Sequence, residues 1–217
     1  MKSTWKLELP QLLVLALMFG LAAWTWPTAP DKVPVHWNLA GEVDRYGSRA
    51  EGLLILPGMA LLIYVLLRAL PRLDPRRENY ARFAGSYTAM RLGILGLLFA
   101  IDGVMLLTLR GVAVDVGLVV GGLVGLLLVG LGMLLPRFQP NWFAGIRTPW
   151  TLSSDRVWQQ THALGGKLFV VMGLLVILAG LSKAPWVFGL AMGSVVLGSL
   201  GLVVYSYLLW RREQPTT

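Results

Sequence analysis

PNWFAGIRTPWTLSSDRVWQQTHALGG, residues 140–166, decides how the rest of the chain is read. It is the longest interruption between the apolar runs, and Trp142, Trp150, Trp158, Arg147, His162 and the pair Gly165-Gly166 crowd into it. A link between bundle helices is ordinarily about 2–8 residues long. This one is long, aromatic and rich in hydrogen-bonding groups, so it reads as the working surface of a protein whose flanking segments lie in lipid.

The surroundings support that reading. The 217 residues are 56% hydrophobic and 14% charged, with mean hydropathy +0.66. A soluble domain carries about 25% charged residues, so this chain has too little polar surface to coat a soluble globule. At roughly 20 residues per crossing, six or seven helices with short links use up the length and leave no room for a separate soluble domain. Cysteine is absent, which removes disulfide frameworks, thiolate metal sites and a cysteine nucleophile.

Six apolar runs follow: 9–26, 53–70, 87–109, 115–135, 167–181 and 186–210. The first is too long for the apolar part of a cleaved leader, about 7–15 residues, and is expected to stay as a span. Trp5 and Trp24 with Trp26 suit its two interfaces. Between the first two runs, 27–52, Val33, Val35 and Trp37 alternate in a strand-like pattern. Asn38–Gly41 and Asp44–Gly47 read as turns. A tight turn is expected at 182–185. Assigning lysines and arginines to alternate sides puts 14 on the side of both termini and of the 140–166 stretch, and 5 on the other. By the positive-inside rule the termini and that stretch face the cytoplasm. With acids counted, the sides carry +9 and −1, so the overall charge of +8 reflects topology and argues against direct nucleic-acid binding. The expected fold is an all-α membrane protein, a bundle of six transmembrane helices. Gly117, Gly121 and Gly125, and Gly189 and Gly193, recur every four residues and are expected to pack helices within the bundle rather than to form a dimer face.

Within the central stretch Ser153 or Ser154 can cap a helix, with Asp155 in its first turn. Val157, Thr161 and Leu164 share one face, and Trp158 and His162 an adjoining one. The expectation is a helix lying along the bilayer surface, with Gly165-Gly166 turning the chain into the fifth span. Trp142, Phe143, Ile146 and Trp150 would dip into the interface. An amphipathic anchor explains those aromatics but not Asn141, Arg147, Thr148 and Pro149, which point to a folded loop or a binding surface. His36 shares its loop with Asp31, Glu42, Asp44 and Glu51. Zinc wants about three or four ligands with several His or Cys, and His162 falls on the other side, so no metal or other cofactor is expected. A Ser–His–Asp set drawn from Ser153 or Ser154, Asp155 and His162 lacks a nucleophile elbow, and no enzyme is expected. Asp102 lies within the third span, where a carboxylate costs about 2.5–3.5 kcal/mol at the bilayer centre. It is either an ion or proton relay or, the preferred reading, a group reaching outer water beside Arg110.

Two stretches resemble a known family. The central one is similar to the signature of the SdpI family of bacterial immunity membrane proteins, through Asn141, Trp142, Gly145, Arg147, Thr148, Pro149, Trp150, Ser153, Trp158, Thr161, His162 and Gly166. PDKVPVHWNLAGEVDRYGS, residues 30–48, resembles the small domain of unknown function that precedes that signature in many members, through Pro34, His36, Asn38, Gly41 and Asp44. Arg156 departs from the pattern, which favours an acid there and with it a capping box. The resemblance implies a six-span protein of the bacterial plasma membrane, with a two-span module at 1–70 bearing the extracellular loop 27–52. A four-span module follows at 71–217, bearing the cytoplasmic loop 136–166. It implies protection against a secreted peptide toxin met outside and retention of a cytoplasmic repressor inside. A small proton-coupled transporter or channel, resting on Asp102, and a membrane-embedded hydrolase are the alternatives.

Overall fold

The computed structural model of the chain describes residues 5–38, 41–182 and 184–214. Lys2, the centre of the expected Asn38–Gly41 turn and Lys183 of the expected tight turn lie outside them. The element order is α1 (Trp5–Thr25), β1 (Lys32–Trp37), β2 (Val43–Ser48), α2 (Arg49–Leu73), a 3₁₀ segment (Arg77–Phe83), α3 (Ala84–Leu109), α4 (Val116–Leu134), a short 3₁₀ turn (Leu135–Arg137), α5 (Pro149–Ser153), α6 (Asp155–Ser182) and α7 (Pro185–Glu213). Six of these helices are long and apolar enough to cross a bilayer. The protein is a multi-pass membrane protein, as its composition requires.

The heads of α2 and α4 are capped from the sequence. Ser48 Oγ accepts the Glu51 N–H at the head of α2, and Asp115 Oδ1 accepts the Leu118 N–H at the head of α4, each satisfying a donor the helix itself leaves open. β1 and β2 pair antiparallel, with Lys32 opposite Ser48 and Trp37 opposite Val43. Asp44–Gly47, read above as a turn, is therefore a strand. The turn lies earlier, closed by the Gly41 N–H to the Asn38 carbonyl, with Gly41 at φ +80°.

The hairpin sits at the head of α2, and the chain beyond the foot of α2 meets the 140–148 loop. Hairpin and loop thus occupy opposite ends of the bundle. The start of α1 and the end of α7 both lie at the loop end. In α1, Glu8 pairs with Arg91 near the start of α3, and near the end of α7 Ser206 meets Thr148 while Glu213 lies 3.8 Å from Arg156.

α4 and α6 run antiparallel in almost bare backbone contact. A Cβ on Gly132 would come 2.6 Å from the Gly166 carbonyl oxygen, and one on Gly173 2.5 Å from that of Gly125. Glycines spaced by seven on both helices keep one seam together along the length, as in a left-handed crossing. Gly166 therefore does not turn the chain: α6 continues through Gly165 and Gly166, because in lipid a glycine pair serves close approach rather than a break. The expected surface helix at 155–164 is instead the buried start of α6, with Val157, Trp158, Thr161 and His162 inside. The packing expected at Gly189 and Gly193 is also absent; a Cβ at either would meet nothing within 4 Å.

Candidate functional site

The loop at 138–148 is folded around two side chains. Asn141, fully buried, accepts at Oδ1 from the Phe143 and Ala144 N–H groups (3.0 and 2.7 Å) and from the Tyr80 hydroxyl (3.2 Å). Its Nδ2 donates to the Gln139 and Ala144 carbonyls, both 2.9 Å away. An amide offers two donors and an oxygen acceptor, and all are used to hold backbone that no helix or sheet would satisfy. His162 does the same one turn further on. Its Nε2 accepts the Ile146 N–H at 3.0 Å, and its Nδ1 lies 2.8 Å from the Trp158 carbonyl. That pair of partners requires the neutral Nδ1–H tautomer. The ring stacks on Trp158 with centroids 4.0 Å apart, and Trp158 Nε1 donates to the Phe138 carbonyl at 2.8 Å. Gly145, at φ +112°, passes so close to His162 that a Cβ there would collide with Nε2.

Thr148 caps α5. Its Oγ1 accepts the Thr151 N–H, the Thr151 hydroxyl reciprocates to the Thr148 N–H, and Pro149 stands in the first turn. At α6, where Ser153 or Ser154 was expected to cap, Ser154 Oγ accepts the Val157 N–H at 3.2 Å. Ser153 bonds back to the Trp150 carbonyl. The floor of the loop comes from the 3₁₀ segment. Asp74 Oδ2 accepts from the Trp142 N–H and the Tyr80 hydroxyl, each at 2.9 Å, and Asn79 donates to the Pro140 carbonyl at 2.7 Å. Tyr80, Phe83 and Tyr87 then pack with Phe138 and Trp158 into one buried aromatic cluster. Sequence reasoning did not single out this segment. Asp74 and Tyr80 were hidden there, although a tyrosine and a phenylalanine three apart among arginines were a visible signal.

Most of the signature is thus spent inside the loop. Gly166 belongs to the α4–α6 seam, and the Thr161 hydroxyl is buried without a hydrogen bond among the described residues. What the loop presents outward is Trp142, 48% exposed, with Arg147 and Pro149 beside it. Arg147 uses one guanidinium nitrogen to hold the Trp142 carbonyl at 3.1 Å, and the rest of its fork is open to solvent. Trp150 is half-buried against Tyr207, 5.1 Å between centroids. The hydrolase set does not assemble: both ring nitrogens of His162 are bonded to backbone, and Asp155 faces Arg76 at 3.2 Å.

At the other end His36 Nδ1 lies 2.6 Å from Asp44 Oδ1 across the hairpin. Asn38 Nδ2 donates to Glu42 while its Oδ1 accepts the Glu42 N–H. Pro34 faces Tyr46 in the sheet register. Among the described residues no group of three or more His, Cys, Asp or Glu could hold a metal ion. Asp102 is 2% exposed. The pairing with Arg110 is not present, because the Arg110 guanidinium lies over the Trp24 ring, 4.5 Å from its centroid. No ion pair or hydrogen bond from Asp102 is found among the described residues. A second charged group was missed altogether: Glu8 and Arg91, both buried, form a two-point pair at 3.2 and 2.9 Å, with the Tyr64 hydroxyl donating to Glu8 at 3.0 Å.

Residues 137–206, from the foot of α4 through the loop to the serine that meets Thr148, match the SdpI/YfhL protein family. That segment is similar to the family. Residues 13–61, which contain the whole hairpin, match DUF1648, a domain of unknown function. Over 207 residues the chain is 22% identical to Immunity protein SdpI of Bacillus subtilis (strain 168), covering 95% of this chain and 97% of that relative. No solved structure matches the chain. The SdpI/YfhL segment takes in the residues that fold the loop, from Phe138 to Ser206, but leaves Asp74 and Tyr80 outside it.

Proposed function

We propose that this protein is a non-enzymatic membrane immunity protein that protects its bacterium against a peptide toxin arriving from outside. The observation that carries this reading is the end-to-end similarity to an immunity protein, which spans both matched segments and nearly the whole of each chain. The charge asymmetry supports an orientation with the loop end in the cytoplasm and the hairpin outside. In that orientation the hairpin meets the toxin. Trp142, Arg147 and Pro149 form the inner surface on which a cytoplasmic partner, a repressor held at the membrane, would dock. An aromatic anchor beside an open guanidinium is the composition of a protein-contact hot spot.

The experiment is expression in a toxin-sensitive bacterium, with survival compared for the intact protein and for Arg147→Ala at matched membrane levels. Protection by the intact protein supports the reading, and no protection at any expression level removes it. Survival that is intact in Arg147→Ala, with loss of repressor retention, assigns the inner surface to signalling alone. A transporter or channel is the second reading, favoured by the buried Asp102. Asp102→Asn separates the two: transport collapses in the second reading, whereas protection persists in the first.

A further inference from the structure

In the half of the molecule made by α1, α2 and α3, two arginines lie at one depth near the loop end, and the protein satisfies only one of them. Arg91, 2% exposed, meets the Glu8 carboxylate through two nitrogens, and the Tyr64 hydroxyl gives that carboxylate a third donor. Arg68 approaches the same carboxylate from α2 with Nε alone, at 3.7 Å, which is beyond hydrogen-bond reach. It has no other ion pair or hydrogen bond among the described residues, and its side chain is 40% exposed. Arg72 stands one turn further along the same face of α2, exposed, with no ion pair or hydrogen bond among the described residues. The next acid along the chain, Asp74, is turned into the loop by Trp142 and Tyr80. One and two turns deeper on the face of Arg68 and Arg72 come Val65 and Leu61, 51% and 43% exposed.

We propose that this stripe of α2 binds one anionic phospholipid, with its phosphodiester between Arg68 and Arg72 and an acyl chain along Val65 and Leu61. Charge selects the headgroup. Arg68, Arg72 and Arg91 share the charge of Glu8, and Arg91 holds it through two hydrogen bonds, so two guanidiniums are left to a counter-ion from outside the chain. Side chains four apart on a helix start about 5–6 Å apart, close enough for both forks to reach one phosphate, the group a guanidinium fits best. A zwitterionic lipid brings its own cation to the same place and gains less. Depth selects a lipid over an acidic protein segment. Arg68 lies about 7 Å up the axis from the end of α2 at Leu73, inside a helix long and apolar enough to span the bilayer. Lipid phosphates lie at the edge of the apolar layer, whereas a soluble partner would have to push into the headgroups to reach it. Basic groups on transmembrane helices near the headgroups are built for such contacts.

The test uses the full chain, stripped of native lipid in detergent and titrated with phosphatidylglycerol or with phosphatidylcholine. Bound lipids are counted by native mass spectrometry. Phosphatidylglycerol should fill one site at concentrations where phosphatidylcholine does not. The affinity for that first lipid should fall about fivefold in Arg68→Gln and in Arg72→Gln, and should be largely kept in Arg68→Lys, which retains the charge. Arg77→Gln removes an exposed arginine from the same end but off the stripe, and should leave the affinity unchanged. Folding of each variant is checked by thermal melting; Arg72→Gln breaks no contact within the described residues, so it decides the matter if Arg68→Gln fails to fold. Equal binding of the two lipids overturns the proposal, and so does unchanged affinity in Arg72→Gln. An equal loss in Arg77→Gln reduces the effect to diffuse attraction by the basic end and also overturns it. Glycerol 3-phosphate and a capped Glu-rich peptide are added as competitors at matched concentration. Displacement of the lipid by the first gives the site to free phosphate esters, and displacement by the second gives it to an acidic protein segment; either result overturns the lipid assignment.

Discussion

Gly145→Ala is the sharpest test of how the loop is held. The new methyl would collide with His162 Nε2 at a φ that only glycine tolerates well, so stability should fall by about 1–3 kcal/mol, read as a lower midpoint in detergent melting. Arg147→Ala should behave in the opposite way. Its side chain is exposed and caps nothing buried, so the melting midpoint should move by no more than the equivalent of about 0.5 kcal/mol, while partner retention at the membrane is lost. Asn141 and Arg147 were singled out together in the sequence because odd residue types stood in a fixed order. Their separate tasks were not legible there. Whether a polar side chain turns inward to bond backbone or outward to solvent depends on Asp74 and Tyr80, some 60 residues away in the chain, and no local pattern carries that. The same distance hid Glu8 and Arg91, which are 83 residues apart. Glu8→Ala, leaving a buried guanidinium without its carboxylate, should cost about 3–5 kcal/mol, seen as loss of folded protein in membranes.

Among the elements, helix number and approximate span followed from apolar runs alone, because bilayer thickness sets a length that hydropathy reports. The errors came where rules learned in water were applied to lipid or to a short strand. Asp44–Gly47 has turn-forming residues, yet pairing with β1 keeps it extended. Gly165-Gly166 looks like a break, yet the seam with α4 keeps the helix running. The seam gives a contrast that can be measured. Gly132→Val drives a side chain into the Gly166 carbonyl and should destabilise by about 1–3 kcal/mol or more. Gly189→Val meets open space and should leave the melting midpoint within experimental scatter.

For the whole molecule, the opposed positions of hairpin and loop were legible from charge counting, and the structure places them at the two ends of α2. Reporter fusions after Gly41 and after Gly145 should report opposite compartments; the same compartment for both would remove the proposed division of roles between hairpin and loop. The manner in which the halves are fastened has one more implication. Their only chain link in this region is the short turn from Arg110 to Asp115 at the hairpin end, while Asp74, Tyr80 and Phe83 clasp Trp142, Asn141 and Phe138 at the other. Severing that link should therefore not part them. Fragments 1–112 and 113–217, made from separate genes in one cell, should find each other in the membrane and copurify through a tag on either one, so this protein can be built as a two-piece complementation pair.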